Sequence, residues 1–295
     1  MAGDGLHISD YDPTLSDAIL GEAAHLLRNF GFSAQHAILI GGLVPGLLVL
    51  DPGPGRPRHV GTADLDVCLS VALIEGDTAE YERIERALRN AGFEPYQTTF
   101  AWKRTKGLGV VVEFFCPAGE GRPPGTLFRP VAAAVPVVKH NMGSRLSAIA
   151  LEAGNAISHD VITVEREVTL PDGAGRTTWR FRVTGLGGFL VAKVAALVGR
   201  DKPKDAYDIV WLLESWEGGP EGAAAAVLAS GMMERDDVRT AMARLATEFS
   251  SPDSLGPSSF VRFMAPSGAP QDERVRLARQ SAGAVQSFTD ALDDH

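Results

Sequence analysis

Several things are scarce in this 295-residue sequence, and each scarcity excludes something. Two cysteines, Cys68 and Cys116, are too few for a disulfide framework or for a zinc cage. No apolar run approaches the length needed to span a bilayer, so no membrane association is expected. The opening Met1-Ala2-Gly3-Asp4 has neither the basic nor the apolar segment of a secretory leader, and the chain reads as cytoplasmic. Positive charge is scarce too: a net charge of −9 argues against indiscriminate nucleic-acid binding. What is present is ordinary globular composition, 45% hydrophobic and 22% charged, enough apolar material for a sizeable core. The length predicts two unequal parts.

The charge is unevenly spread. Residues 97–150 carry 7 basic and 2 acidic groups, whereas residues 1–96 carry 6 basic and 14 acidic and residues 211–295 carry 7 and 13. A basic island in an acidic chain points to a local anionic partner.

Hydrophobic spacing predicts a first helix over Leu15 to Phe30, with Ile19, Ala23, Leu26, Leu27 and Phe30 on one face. The apolar run Ala37 to Ile40 reads as a buried strand that ends in Gly41-Gly42, with a helix beginning in the apolar stretch after it. Asp51-Pro52-Gly53-Pro54-Gly55-Arg56-Pro57 is a loop. Asp64 to Val71 alternates as a strand, and Asp77 with Glu80 makes a capping-box-like start for a helix reaching Asn90. Thr98 to Arg104 and Gly109 to Cys116 read as two strands, and Asp160 to Leu170 with Thr177 to Val183 as a polar hairpin. Helices are expected over 186–198, 203–215, 219–230, 235–249 and 271–292. The expected fold class is therefore α/β (α+β): a mixed sheet with flanking helices over 1–184, then a mostly helical part over 185–295.

The sharpest motif is Thr62-Ala63-Asp64-Leu65-Asp66-Val67. On a strand, residues two apart share a face, so Asp64 and Asp66 project together while Leu65 and Val67 enter the core. Paired carboxylates repel unless a cation lies between them, and an oxygen-only pair suits Mg2+ or Mn2+. Glu113 is the one acid in the apolar run Val110 to Phe115 and needs a partner if buried. Two readings stand for it: an ion pair with Lys103 or Arg104, or a third metal ligand beside Asp64 and Asp66. Gly41-Gly42 offers backbone without Cβ atoms to an approaching phosphate. Lys193 interrupts an apolar helix and needs an anion if buried, and Asp208 lies deep in the next helix; a structural Lys193–Asp208 bridge and an active-site pair are both open and compatible, because the bridge could aim the lysine. The seven histidines, His59 among them, show no ligand spacing and read as solvated or locally bonded.

The order strand, Gly-Gly, helix, T-x-D-x-D strand, then a strand with one acid resembles the polymerase-β-like nucleotidyltransferases. Lys193 followed by Arg200-Asp201-Lys202-Pro203-Lys204-Asp205-Ala206-Tyr207-Asp208 resembles the downstream motif of the AbiEii/AbiGii toxin family. The resemblance implies a metal-dependent nucleotidyltransferase, the toxin of a toxin–antitoxin or abortive-infection system. Such an enzyme transfers a nucleotide from a nucleoside triphosphate to an acceptor and releases pyrophosphate. Asp64, Asp66 and Glu113 would be catalytic and hold Mg2+ or Mn2+, and Lys193 and Asp208 would complete the catalytic set. Gly41, Gly42, Thr62, Lys193, Lys204 and Asp205 would bind the nucleotide. The expected partners are the triphosphate, an RNA acceptor such as the tRNA 3′ end, and a cognate antitoxin. For the RNA, Lys103, Arg104 and Lys106 are the candidate contacts, extended by Arg122, Arg129, Lys139 and Arg145, with Trp102 to stack on a base. The alternatives are a glycosyltransferase that grips a nucleotide-sugar through D-x-D, transfer of the nucleotide to a protein, and a binding module without activity.

Overall fold

The computed structural model of the protein describes residues 5–70, 78–129 and 146–294. In chain order it begins α1 (Leu15–Phe30), β1 (Ala37–Ile40), α2 (Val44–Leu48), β2 (Asp64–Leu69) and α3 (Thr78–Asn90). Then come β3 (Phe93–Tyr96), β4 (Thr98–Arg104), β5 (Val111–Pro117), β6 (Leu127–Phe128), β7 (Ala148–Leu151) and α4 (Gly154–His159). The long strands β8 (Val161–Thr169) and β9 (Arg176–Thr184) follow. The remainder is helical: α5 (Leu186–Gly199), α6 (Lys204–Ser215), α7 (Gly219–Ala229), α8 (Asp236–Glu248), α9 (Leu255–Met264) and α10 (Gln271–Asp293). The fold is mixed α/β, with one open mixed sheet and a predominance of helix. Among the described residues no helix is long and apolar enough to cross a membrane.

Five of these elements, the two-residue β6 among them, carry too little periodic signal to be expected from sequence. β3 contains Pro95, which a strand tolerates at a sheet edge, and β3 is an edge strand. α9 opens Leu255-Gly256-Pro257, turn-like in composition but admissible in a first helical turn, where the missing N–H has no partner to lose. β7 and α4 are only four and six residues long. Asp77, His140, Lys139, Arg145 and His295 lie outside the described residues.

Two compact units divide the chain. The first comprises Thr14–Gly42 and Ala63–Val183; the second takes Leu43–Thr62, everything from Thr184 onward, and the stretch ending at Pro13. In the first unit the strand order is β3-β4-β5-β2-β1-β9-β8, with β7 pairing β5 and β6 off that path. β2 runs antiparallel to β1 and parallel to β5, and β5 runs antiparallel to β4. Leu65 and Val67 of β2, Val112 and Phe114 of β5 and Trp102 of β4 are all buried. The buried stripe of α1 holds Ile19, Ala23, Leu26, Leu27 and Phe30, and Phe30 stacks on Phe114 with ring centroids 6.4 Å apart. Gly21 lets α1 close on β8 backbone to backbone: a Cβ there would lie 2.1 Å from the Thr169 carbonyl oxygen. In the second unit α6 packs against α5, α9 and α10. Ile209, Leu212 and Leu213 are fully buried, as the helical spacing predicts.

One ion pair ties α1 to the sheet. Arg104 is only 3% exposed, lies 3.2 Å from the Glu22 carboxylate, donates to the Ala91 carbonyl at 3.0 Å and also meets Asp172. Burial raises the Glu22 carboxyl above its usual range, with Arg104 pulling the other way. Removing one partner of a buried pair leaves an uncompensated charge. Arg104→Met is therefore expected to destabilise the protein by about 3–5 kcal/mol, and Glu22→Gln added to it to recover part of that loss, read by urea denaturation of the two single variants and the double variant.

Candidate functional site

The register of β2 and β5 builds the acidic face. Asp66 stands opposite Glu113 and Asp64 opposite Val111 on parallel neighbouring strands. Residues opposite one another share a face, so Asp64, Asp66 and Glu113 all project from one side, and all three are half-buried. Neighbouring strands lie about 4.8 Å apart, and residues two apart on a strand about 6.6 Å. On the other side of β2, Ile40 of β1 pairs with Asp66, and the chain then turns at Gly41 with φ +73°. A Cβ on Gly41 would lie 1.9 Å from Asp66 Oδ2. Glycine is thus required twice, for the left-handed backbone and for the carboxylate that rests against it. Gly42 continues into a 3-10 turn and then α2, whose five residues are too few to supply the anion affinity of a full helix start. Thr62 is half-buried in the segment just ahead of β2.

The donors of this face are all carboxylate oxygens, the chemistry of a hard divalent cation. Among the described residues no group of three or more His, Cys, Asp or Glu side chains is arranged to hold a metal ion. Magnesium is ordinarily bound through one or two carboxylates plus substrate phosphates, and Asp64 with Asp66 fits that smaller requirement.

β4 adds to the same face. Ala101 stands opposite Glu113 and Lys103 opposite Val111, so Lys103 projects on the acidic side, exposed, with its ammonium 4.9 Å from the centre of the Tyr96 ring. The alternation that brings Lys103 there sends Trp102 and Arg104 to the core. Two expectations are corrected by it. Trp102 is fully buried, with Arg89 over its ring, and is not available to stack on a base. Arg104 is engaged by Glu22 and is not a surface contact for nucleic acid. Lys106 and Arg129 are exposed, and Arg122 is half-buried over the Phe128 ring.

The second unit holds a separate ionic cluster on α5 and α6. Lys193 Nζ lies 2.7 Å from Asp205 and 2.6 Å from Asp208 Oδ2, with 8% of its side chain exposed. Arg200 adds bonds of 2.9 and 3.0 Å to Asp205. Lys204 reaches Asp208 Oδ1 at 2.6 Å and is itself buried. Burial pulls Lys193 down, but the two carboxylates outweigh it and the ammonium is held charged above its ordinary range. Burial likewise pushes Asp208 up, and Lys193 and Lys204 overcome it, holding that carboxyl well below the usual range.

Sequence reasoning missed His59. It is neither solvated nor locally bonded: it is buried, and its Nε2 lies 2.9 Å from Asp208 Oδ1. The Gly61 backbone N–H points at Nδ1 over 3.0 Å. A backbone N–H can only donate, so Nδ1 accepts, the ring proton sits on Nε2, and the imidazole is neutral. The ring stacks on Tyr207 and meets the edge of Trp211. The only hint in the sequence was that Asp208, between Tyr207 and Ile209, required buried partners.

Two measurements follow. Gly41→Ala should destabilise the protein by about 1–2 kcal/mol from the left-handed backbone alone, with a further loss from displacing Asp66, read by thermal denaturation. His59 has its pKa pushed down from 6.5 to about 4, first by burial and then by the Lys204 and Lys193 charges, against the opposing Asp208 bond. The unfolded chain takes up that proton near pH 6.5 while the folded chain refuses it until about pH 4. The stability linked to His59 is thus present above 6.5 and lost as pH falls towards 4, a slope worth roughly 3 kcal/mol over the window. Denaturation at stepped pH should show that slope in the unmutated protein and a flatter one in His59→Gln.

Comparison with known proteins finds no family model that matches the chain and no curated protein that matches it.

Proposed function

We propose that the protein is a metal-dependent nucleotidyltransferase with a polymerase-β-like core, acting as the toxin of a toxin–antitoxin or abortive-infection system. The observation that carries the reading is the β2–β5 register, which sets Asp64, Asp66 and Glu113 on one face beside the left-handed Gly41 turn. Mg2+ or Mn2+ held by Asp64 and Asp66 would neutralise triphosphate oxygens and acidify an acceptor hydroxyl. Glu113, opposite Asp66, is the carboxylate to receive the proton of that hydroxyl as it attacks the α-phosphate and pyrophosphate leaves. Gly41 gives the Asp66 carboxylate the room it occupies, where any side chain would strike it. Lys193 is kept charged by Asp205 and Asp208, which is the state that stabilising phosphate charge requires.

The acceptor in this reading is RNA, such as a tRNA 3′ end. Lys103 supports it, because this cation projects from the acidic face itself, and exposed Lys106 follows it in the adjoining turn. No observation favours the glycosyltransferase alternative.

The test is incubation with each labelled nucleoside triphosphate, Mg2+ or Mn2+, and RNA or cell extract, followed by separation of labelled RNA from labelled protein. Asp64→Ala and Asp66→Ala should each lower transfer roughly a thousandfold or more while leaving the circular dichroism spectrum intact. Full transfer by both folded variants would remove the metal-site assignment. Lys103→Ala with Lys106→Ala should flatten the salt dependence of RNA labelling by roughly one unit of slope per cation. Label on protein would identify a protein acceptor instead.

A further inference from the structure

We infer that His59 is a positioning residue for Lys193, acting through Asp208. The inference rests on the transferase reading for what Lys193 does, but not for how Lys193 is held.

The members of the cluster differ in how firmly each is placed. Lys193 and Lys204 end flexible four-carbon stems, and a carboxylate can rotate about its last torsion. Lys204 is drawn to Asp208 at 2.6 Å, and Lys193 is shared between Asp208 at 2.6 Å and Asp205 at 2.7 Å, so Asp208 is the one carboxylate that both lysines meet. Two ammonium groups on flexible stems can follow the carboxylate through a range of rotations and so do not by themselves fix it. A donor on a held ring does. The His59 Nε2–H approaches Oδ1 at 2.9 Å, the oxygen shared with Lys204, and leaves Oδ2 to Lys193.

His59 can act as the fixed point because it cannot turn. Gly61 N–H holds Nδ1 at 3.0 Å. Tyr207 lies against the ring with centroids 5.2 Å apart, and Trp211 closes its edge at 4.9 Å. The flanking backbone is pinned as well: Trp211 Nε1 donates to the Pro57 carbonyl at 3.1 Å, and Val60 N–H to the Tyr207 hydroxyl at 3.3 Å. The charged and titratable groups around the ring are Asp208 and Lys204 beside it, Tyr207 against its face, and Lys193 on the far carboxylate oxygen. A neutral ring serves where a cation would not. A proton on Nδ1 would displace the Gly61 N–H and set a third positive charge against Asp208.

Two variants separate the parts of the ring. His59→Phe keeps an aromatic ring between Tyr207 and Trp211 and loses both hydrogen bonds; His59→Gln keeps an N–H donor for Asp208. The direct readout is residue-by-residue modification of lysines by acetic anhydride at pH 8, with near-ultraviolet circular dichroism confirming folded protein. Lys193 should be protected in the unmutated protein, roughly tenfold more reactive in His59→Phe, and largely protected again in His59→Gln, the factor expected for losing one hydrogen bond to a charged group. Equal protection of Lys193 in all three folded proteins would overturn the inference. In the nucleotide-transfer assay His59→Phe should lower kcat by roughly tenfold or more, with a smaller change in KM and recovery in His59→Gln. A purely structural histidine would lower the melting temperature of both variants and leave kcat per folded molecule unchanged, which would also overturn it. Absence of transfer in the unmutated protein, with Lys193 released in His59→Phe, would sink the transferase reading and leave the positioning of Lys193 standing.

Discussion

The arrangement depends most on one constraint, the period-two alternation of β2 held in register between β1 and β5. Every second side chain of β2 is apolar and buried, and the residues between them include the two aspartates. A shift of one residue would bury both carboxylates and expose Leu65 and Val67, so the hydrophobic core itself enforces the acidic face. The neighbouring strands inherit the same phase. On β5 it puts Phe114 in the core and Glu113 beside Asp66; on β4 it puts Trp102 and Arg104 inside and Lys103 outside. Core packing and the candidate chemistry are two consequences of a single register.

The two units meet the cost of buried charge in different ways. In the sheet unit, Arg104 and Glu22 form a small internal pair, with the half-exposed Asp172 as a second carboxylate on the guanidinium. In the helical unit, three cations and two carboxylates share bonds across α5 and α6, and a neutral histidine supplies the remaining donor. Low dielectric strengthens each of these bonds and makes any missing one expensive. That explains why Lys193 and Asp208 can both remain charged at almost no exposure, and why the ring beside them is uncharged.

The close approach of Gly41 to Asp66 links the turn to the chemistry in the same way. A residue with a side chain would strain the backbone and push on the carboxylate at once. The turn is small because the acid needs the room.

How much of this could be read from the chain follows from the range of the forces involved. Local forces act within a few residues and leave periodic traces. The extent of α1, the strands β1 and β4, the alternating Asp64-Leu65-Asp66-Val67 and the change to helices after Gly185 could all be read from those traces. A bridge from Lys193 to Asp208 could also be expected, because each is a charge set in an apolar helix. The identities of other partners could not. His59 meets Asp208 across 149 positions of chain, and Arg104 meets Glu22 from strand to helix. Nor could the sequence say which side of β4 faces the carboxylates, since alternation defines two faces without naming either. The sequence by itself determined which residues alternate and which charges needed burial partners; only the tertiary structure decided the partner and the face, because those depend on where distant segments return in space and not on any pattern within one of them.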